Sequence, residues 1–151
     1  MTSVSKRMRV RIFKEIELLY DEYNNICIRY NKETMSQDFT ILDKFKISIN
    51  EDFPFTPPEK IVINDILWHE FIYIPSRFKE LLHSKHKDKC FCCNTITKPL
   101  NWSPMYNLRD VFNELILYKK IKKQVFCTYI IDTIKKNYNV PNEIEIVEFL
   151  V

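Results

Sequence analysis

Residues 53–58, with the sequence FPFTPP, constrain this chain more than any other segment. Three prolines fall within five positions there, and proline fixes φ and lacks a backbone N–H. The segment can therefore neither continue a helix nor occupy a central strand, and it predicts a rigid turn at the end of a strand. A second rigid segment, residues 101–104 (NWSP), follows a stretch that contains Cys90, Cys92 and Cys93.

The composition predicts a globular protein and argues against nucleic acid and membranes as partners. A chain of 151 residues with 46% hydrophobic residues and no internal repeat or linker predicts one globular domain over residues 1–151. A net charge of +3 is too small to indicate nucleic acid as a partner. No apolar run approaches the roughly 20 residues that cross a bilayer, so we expect no membrane partner.

Glycine is absent, while Ile, Lys, Asn, Phe and Tyr are abundant. These residues have AT-rich codons, which favours an AT-rich genome such as that of a large DNA virus or a protist. Without glycine, turns must be made with Asn, Asp, Ser or Pro. The five cysteines are an odd number and follow no apolar stretch typical of a signal peptide. We therefore expect reduced thiols in the cytoplasm, the nucleus or a host cytoplasm.

Hydrophobic periodicity predicts an order of elements. Apolar residues at helical spacing predict an amphipathic helix from Ser5 to about Tyr23. Four short strands are predicted near residues 26–30, 39–42, 45–49 and 60–64, and a short helix begins near residues 75–76. After residue 104 a long helical stretch is predicted, capped by Asn107, ended by Pro141 and broken around residues 119–123. The alternation of residues 144–151 favours a strand or a docked arm.

This order, together with two local motifs, resembles the ubiquitin-conjugating enzyme family. Residues 50–60 are similar to the family stretch that ends in Tyr-Pro-Phe-Lys-Pro-Pro-Lys, and residues 101–104 are similar to its motif after the catalytic cysteine. The resemblance implies an α+β fold in which a short antiparallel meander is flanked by an N-terminal helix and long C-terminal helices. The family's His-Pro-Asn tripeptide is missing, and residues 83–85 (HSK) are the nearest fragment.

The resemblance also implies a function. The protein would carry ubiquitin or a related modifier as a cysteine thioester, within an ATP-dependent pathway, and transfer it to a lysine amine without a cofactor of its own. The distance to Trp102 favours Cys93 as the nucleophile, whereas the spacing from His83 favours Cys92. Asn94 is a candidate for the amide that stabilises the oxyanion.

Partner-binding residues follow from the same motifs. The basic side chains of the first helix would meet the activating enzyme, and exposed residues of the two rigid segments would meet a ubiquitin ligase. These residues are Lys6, Arg7, Arg9 and Arg11, followed by Phe55, Ser103, Pro104 and Met105.

Two alternatives remain open. The missing asparagine favours an inactive relative that binds the modifier or a conjugation partner. The other alternative is a small structural or zinc-stabilised viral protein. In that protein Cys90, Cys92 and Cys93, together with His86, would hold zinc. Adjacent cysteines depart from the usual spacing of zinc ligands, so we expect no metal site.

Overall fold

The computed structural model describes residues 6–20, 25–31, 36–41, 43–86 and 90–138. The side chains of residues 6–9, 30–31 and 85–86 lie outside this description. The strands are β1 (Ile26–Asn31), β2 (Ser36–Ile41), β3 (Phe45–Ile49), β4 (Lys60–Ile63) and β5 (Ile66–Leu67). The helices are α1 (Lys6–Tyr20), α2 (Trp68–Phe71), α3 (Ser76–His86), α4 (Phe91–Asn94) and α5 (Leu108–Tyr138).

The strands form one antiparallel sheet in the order β1-β2-β3-β4-β5. Ile47 lies opposite Phe39 on one side and opposite Ile61 on the other. Residues directly opposite each other share a face, so these side chains form one apolar surface, and all three are buried. Phe45 of the same face contacts Phe112 of α5, with ring centroids 5.0 Å apart. The buried face of the sheet therefore packs against the long helix.

Asp and Asn occupy the positive-φ positions of two tight turns, after β2 and after β4, as the absence of glycine predicts. Asp43, in the β2–β3 turn, has φ 55°, and Asn64 and Asp65 have φ 47° and 66°. Asn64 and Asp65 are the two residues between the paired Ile63 and Ile66. A two-residue hairpin loop favours positive φ at both positions, and Asn and Asp tolerate that conformation best after glycine.

The beginning of α5 confirms the predicted cap. The Asn107 side-chain oxygen accepts a hydrogen bond from the Asp110 N–H at 3.0 Å, and the Asp110 carboxylate accepts one from the Asn107 N–H at 2.9 Å. This reciprocal pair satisfies two N–H groups at the helix start. The helix end predicted at Pro141 lies outside the described residues, as do Ser5, the predicted cap of α1, and residues 144–151.

The predicted break in the last helix is wrong. One continuous helix runs through residues 119–123, where the resemblance implied several C-terminal helices. The apolar stripe passes from Tyr118 to Ile121 and Val125 at three- and four-residue steps, and these side chains are buried. The intervening lysines are good helix formers, so nothing in their backbone preference interrupts the helix. None of the described helices is long and apolar enough to span a membrane.

Four strands and the helix near residue 76 match the predicted elements within a few residues, and the described part of the first helix ends at Tyr20. The mixed α+β class is confirmed. β5 and α2, which follow the β4 hairpin directly, were not predicted. β5 has two residues and α2 has four, too few for either period to appear in the sequence.

Glu15 joins α1 to the beginning of α5. Its side chain is 0% exposed, and its carboxylate accepts a hydrogen bond from the Leu108 N–H at 2.7 Å. Arg11 Nε lies 2.7 Å from the other carboxylate oxygen, and Arg11 Nη2 donates to the Tyr106 carbonyl at 2.8 Å. Burial raises the pKa of Glu15, while the Leu108 N–H and the Arg11 guanidinium act in the opposite direction. Arg11 and Glu15 of α1 thus bind the backbone of Tyr106 and Leu108, at the start of α5.

We expect Glu15→Ala to lower the free energy of unfolding by about 3 kcal/mol, because breaking a buried pair leaves the other partner uncompensated. Glu17→Ala, an exposed site on the same helix, should change it by less than about 0.5 kcal/mol. Urea denaturation of both variants measures the difference. A similarly small loss of unfolding free energy in the two variants would contradict a stabilising role for the contact between α1 and α5.

Candidate active site in the cysteine loop

Residues 90–107, which precede α5 and are here called the cysteine loop, carry the candidate nucleophile. Their first anchor is Phe91, which is buried and stacks on Tyr118 of α5 with ring centroids 4.0 Å apart and planes 9° apart. The next two residues, Cys92 and Cys93, are exposed on the same short helix. One inward aromatic ring therefore fixes a turn that presents two sulfur atoms to solvent.

Glu114 of α5 is the second anchor. Its carboxylate accepts hydrogen bonds from the Ile96 N–H at 2.9 Å and from the Thr95 hydroxyl at 2.8 Å. The Trp68 indole N–H donates to the same hydroxyl at 3.3 Å. Burial raises the pKa of Glu114, and the hydrogen bonds from Ile96 and Thr95 offset part of this rise. The backbone directly after α4 is therefore fixed by a desolvated carboxyl group.

Asn101 is the third anchor. Its side-chain amide donates to the Cys93 carbonyl at 2.8 Å and to the Thr95 carbonyl at 3.0 Å. An asparagine amide has two donor hydrogens, and both have acceptors here. Asn101 therefore positions the backbone of Cys93, and in this arrangement it presents no spare donor to a reacting group.

Trp102 connects the cysteine loop to the proline turn. Its indole N–H donates to the Pro54 carbonyl at 2.7 Å, and its ring lies 5.9 Å from the buried ring of Phe53. The peptide bond between Phe53 and Pro54 is cis. The two rigid segments of the sequence, 48 residues apart, thus meet through one hydrogen bond and one aromatic contact.

The three clustered cysteines differ in state. Cys90 and Cys92 form a disulfide, whereas Cys93 is a free, exposed thiol. The Cys93 sulfur lies 3.9 Å from the Cys92 sulfur, and all three sulfurs lie within 4.8 Å of one another. The expectation of reduced thiols is therefore wrong for this pair, because Cys90 and Cys92 are close enough to bond. It was drawn from the odd cysteine count and the lack of a signal-peptide stretch, neither of which carries information about the distance between sulfurs.

The structure places Asn94 on the surface at the end of α4, directly after Cys93. His86 is the last residue of α3, and its side chain lies outside the described residues. The predicted zinc ligands that are described are the three cysteines. Their sulfurs lie together even though Cys92 and Cys93 are adjacent, so adjacency does not separate the donor atoms.

The predicted partner-binding residues fall into three groups. Phe55 and Met105 are 79% and 87% exposed, and Pro104 is exposed too, whereas Ser103 is half-buried and its hydroxyl accepts the Met105 N–H. Arg11 turns inward to Glu15 and Tyr106, as described above. Lys6, Arg7 and Arg9 belong to α1, but their side chains are outside the description.

Comparison with protein families, with curated proteins and with solved structures finds no match to this chain. The chemistry of the site therefore has to be argued from its own residues.

Sequence reasoning missed Glu15, Glu114 and Leu100. The two acids carry a recognisable signal, because each interrupts an apolar helical stripe: Glu114 lies between Val111 and Tyr118 at three- and four-residue steps. An acid on a buried stripe indicates a carboxylate with internal partners. Leu100 is 88% exposed beside Asn101, and no pattern in the sequence distinguishes it from a core leucine.

Glu114→Gln should change how stability depends on pH. Because the folded state raises the pKa of Glu114, it binds this proton more tightly than the unfolded state does. The protonated Glu114 side chain therefore stabilises the folded state below the ordinary glutamate pKa. This contribution is lost as the pH rises through the pKa of Glu114 in the folded state. The wild-type free energy of unfolding should therefore fall relative to Glu114→Gln as the pH rises above the ordinary glutamate pKa of about 4.3.

Urea denaturation across this pH range measures the effect. Glu70→Gln, at an exposed glutamate, is the control for the loss of a surface carboxyl group. A wild-type stability that rises relative to Glu114→Gln over the same range would contradict the interpretation.

Proposed function

We propose that the protein carries ubiquitin or a ubiquitin-like modifier as a thioester on Cys93 and passes it to a lysine amine. The single observation that supports this proposal is an exposed, free thiol whose backbone carbonyl is held by Asn101. Cysteine is the most nucleophilic of the common side chains near neutral pH and needs no base triad. An accessible sulfur on a fixed backbone meets the basic requirement of acyl transfer.

The reaction balances with two partners. The Cys93 thiolate attacks the carbonyl carbon of a modifier held as a thioester on the activating enzyme, and the enzyme's thiolate leaves. A lysine amine then attacks the new thioester, a C–N bond forms, and the Cys93 thiolate leaves. The amine proton passes to solvent or to a nearby base. Neither step needs a cofactor on this chain, because ATP is consumed earlier by the activating enzyme.

Cys93 is preferred over Cys92 because the Cys92 sulfur is bonded to Cys90. A disulfide sulfur carries no proton to lose, and it accepts rather than donates electrons in exchange reactions. Cys92 becomes an alternative nucleophile only after reduction.

The order of elements supports a fold like that of ubiquitin-conjugating enzymes. A helix precedes an antiparallel meander, the proline turn follows β3, and the cysteine loop with its Trp-Ser-Pro motif leads into α5. The hydrogen bond from Trp102 to Pro54 joins the two motifs on which the resemblance depends. β5, α2 and α3 lie between the turn and the cysteine loop as an elaboration of that plan.

Exposed apolar side chains near the two motifs support a protein partner such as a ligase. Phe55 is in the proline turn, and Leu100 and Met105 flank Trp102 in the cysteine loop. The Trp102 contact brings the two segments together, so their exposed side chains belong to the same region of the surface. Large exposed apolar residues gathered in one region are typical of docking sites.

A second candidate is a module that binds the modifier without transferring it. The observation that favours it is the use of both Asn101 amide hydrogens by backbone carbonyls. Asn94 is then the nearest exposed side-chain amide to Cys93 in the sequence.

Incubation with activating enzyme, ATP and ubiquitin should give an adduct that a thiol reagent removes. Cys93→Ala should abolish this adduct, because it removes the attacking sulfur. Cys27→Ala is the matched control, since Cys27 is also a free, exposed cysteine but lies on β1. Non-reducing gel electrophoresis with and without thiol reports the result.

The outcomes separate the candidates. If the adduct persists in Cys93→Ala and disappears in Cys92→Ala, the nucleophile is Cys92. Folded wild type that forms no adduct with ubiquitin or related modifiers would overturn the transfer function. Binding of ubiquitin detected by NMR titration of that protein would then support the second candidate.

Asn94→Ala tests the oxyanion contribution. Loss of one donor to a developing oxyanion typically costs about 10²–10³ in rate, so transfer from the preformed thioester to free lysine should slow by a comparable factor. Formation of the thioester should change much less, which a single-turnover assay measures separately. Asn113→Ala, at an exposed asparagine of α5, is the control. Equal discharge rates in both variants would exclude Asn94 from this role.

A further inference from the structure

We propose that Cys90, Cys92 and Cys93, once reduced, bind one thiophilic metal ion such as Zn²⁺, and that the Cys90–Cys92 disulfide is the oxidised, metal-free form of this site. The inference goes beyond the proposed function, which uses Cys93 alone. It depends on the positions of three sulfur atoms and on no partner protein.

One pair of sulfurs already has the spacing of zinc ligands, and reduction frees the third. Zinc binds thiolates at about 2.3 Å, so two sulfurs of a tetrahedral site lie about 3.8 Å apart. The Cys92 and Cys93 sulfurs are 3.9 Å apart. The Cys90 sulfur is bonded to Cys92 and lies within 4.8 Å of Cys93, so the proposal requires that reduction lets the bonded pair separate to a similar spacing. Thiolate is the ligand type that zinc and Cu⁺ favour over carboxylate or carbonyl oxygen.

The backbone of α4 explains why the sulfurs gather. The N–H groups of Cys93 and Asn94 both donate to the Cys90 carbonyl, at 3.3 and 3.2 Å. This helical turn brings Cys90 close to Cys93. Phe91 points into the core, so Cys92 and Cys93 lie on the exposed side of the turn and Cys90 is half-buried. The same anchors that fix the nucleophile therefore preorganise a three-sulfur site.

Three protein ligands leave one position of a tetrahedral ion open, and water fills it. Cys92 and Cys93 are exposed and Cys90 is half-buried, so solvent reaches the site. Three protein ligands and one water are the arrangement of many exchangeable and catalytic zinc sites, whereas purely structural sites use four protein ligands.

Oxidation and metal release balance with a peroxide as the oxidant. The thiolates of Cys90 and Cys92 give up two electrons and form the S–S bond, while the peroxide takes two electrons and two protons and its O–O bond breaks. The ion leaves because Cys93 alone is a single ligand. A dithiol reductant reverses the step by thiol–disulfide exchange and restores all three ligands.

The test uses the full chain, reduced with a phosphine and desalted without oxygen. Co²⁺ is the probe, because cobalt bound to thiolates gives absorption bands that report ligand number and geometry. We expect one Co²⁺ per chain, displaced by one Zn²⁺, and no thiolate band after peroxide oxidation. Reduction of the oxidised sample should restore the band.

Variants assign the ligands. Loss of a group outside the first coordination sphere already weakens metal binding by about 10- to 100-fold. A direct ligand contributes more than such a group. We therefore expect Zn²⁺ binding to weaken by at least about 100-fold in each of three variants, Cys90→Ser, Cys92→Ser and Cys93→Ser. Cys27→Ser is the matched control and should leave it unchanged. Circular dichroism checks that each variant is folded.

Reduced wild type that shows no cobalt–thiolate band would overturn the proposal, and this result needs no variant. A Cys93→Ser affinity equal to that of Cys27→Ser would also overturn the three-cysteine site. Neither result affects the ubiquitin assay, so the metal site and the transfer function fail or survive separately.

Discussion

The position of the cysteines depends on side chains that satisfy the polar backbone groups of the cysteine loop. Residues 95–107 contain no strand and no helix, so their buried N–H and carbonyl groups need partners in turns or from side chains. Glu114 accepts the Ile96 N–H, and Asn101 donates to two carbonyls on either side of Asn94. Leaving such groups unpaired costs about 1–3 kcal/mol each, so these side chains define one conformation of the loop among many.

The long helix α5 transmits this order to the rest of the molecule. Leu108 at its start binds Glu15 of α1, and Phe112, one turn later, contacts Phe45 of the sheet. Tyr118, further along, stacks on Phe91 of the cysteine loop. These contacts recur every one or two turns, so a single rigid rod sets the distances between the first helix, the sheet and the thiol. An unbroken helix matters here, because a bend between Leu115 and Ile121 would separate Phe91 from the sheet.

The elements that could be predicted from the sequence are those with a local physical cause. β3 follows from the alternation of its apolar residues, the cap of α5 from Asn107, and the turn from its prolines. The inward turn of Arg11 could not be predicted, because it depends on Glu15 and on Tyr106, 95 positions away. The disulfide and the amide contacts of Asn101 likewise depend on the curl of α4. Local periodicity carries none of these distances.

Under the two proposals, acyl transfer and metal binding would compete for the Cys93 sulfur, and the bond between Cys90 and Cys92 would decide which of them occurs. With the bond intact, Cys93 is the one thiol of the cluster, and a single soft donor binds an ion weakly, so the sulfur stays free to attack a thioester. With the bond reduced, three thiolates act on one ion, whose positive charge withdraws the electron density that makes Cys93 nucleophilic. Under both proposals taken together, an oxidant favours the transfer-competent state and a reductant in the presence of Zn²⁺ masks it. This order is the reverse of the usual inactivation of a catalytic cysteine by oxidation, because here oxidation of Cys90 and Cys92 would release the ion from Cys93.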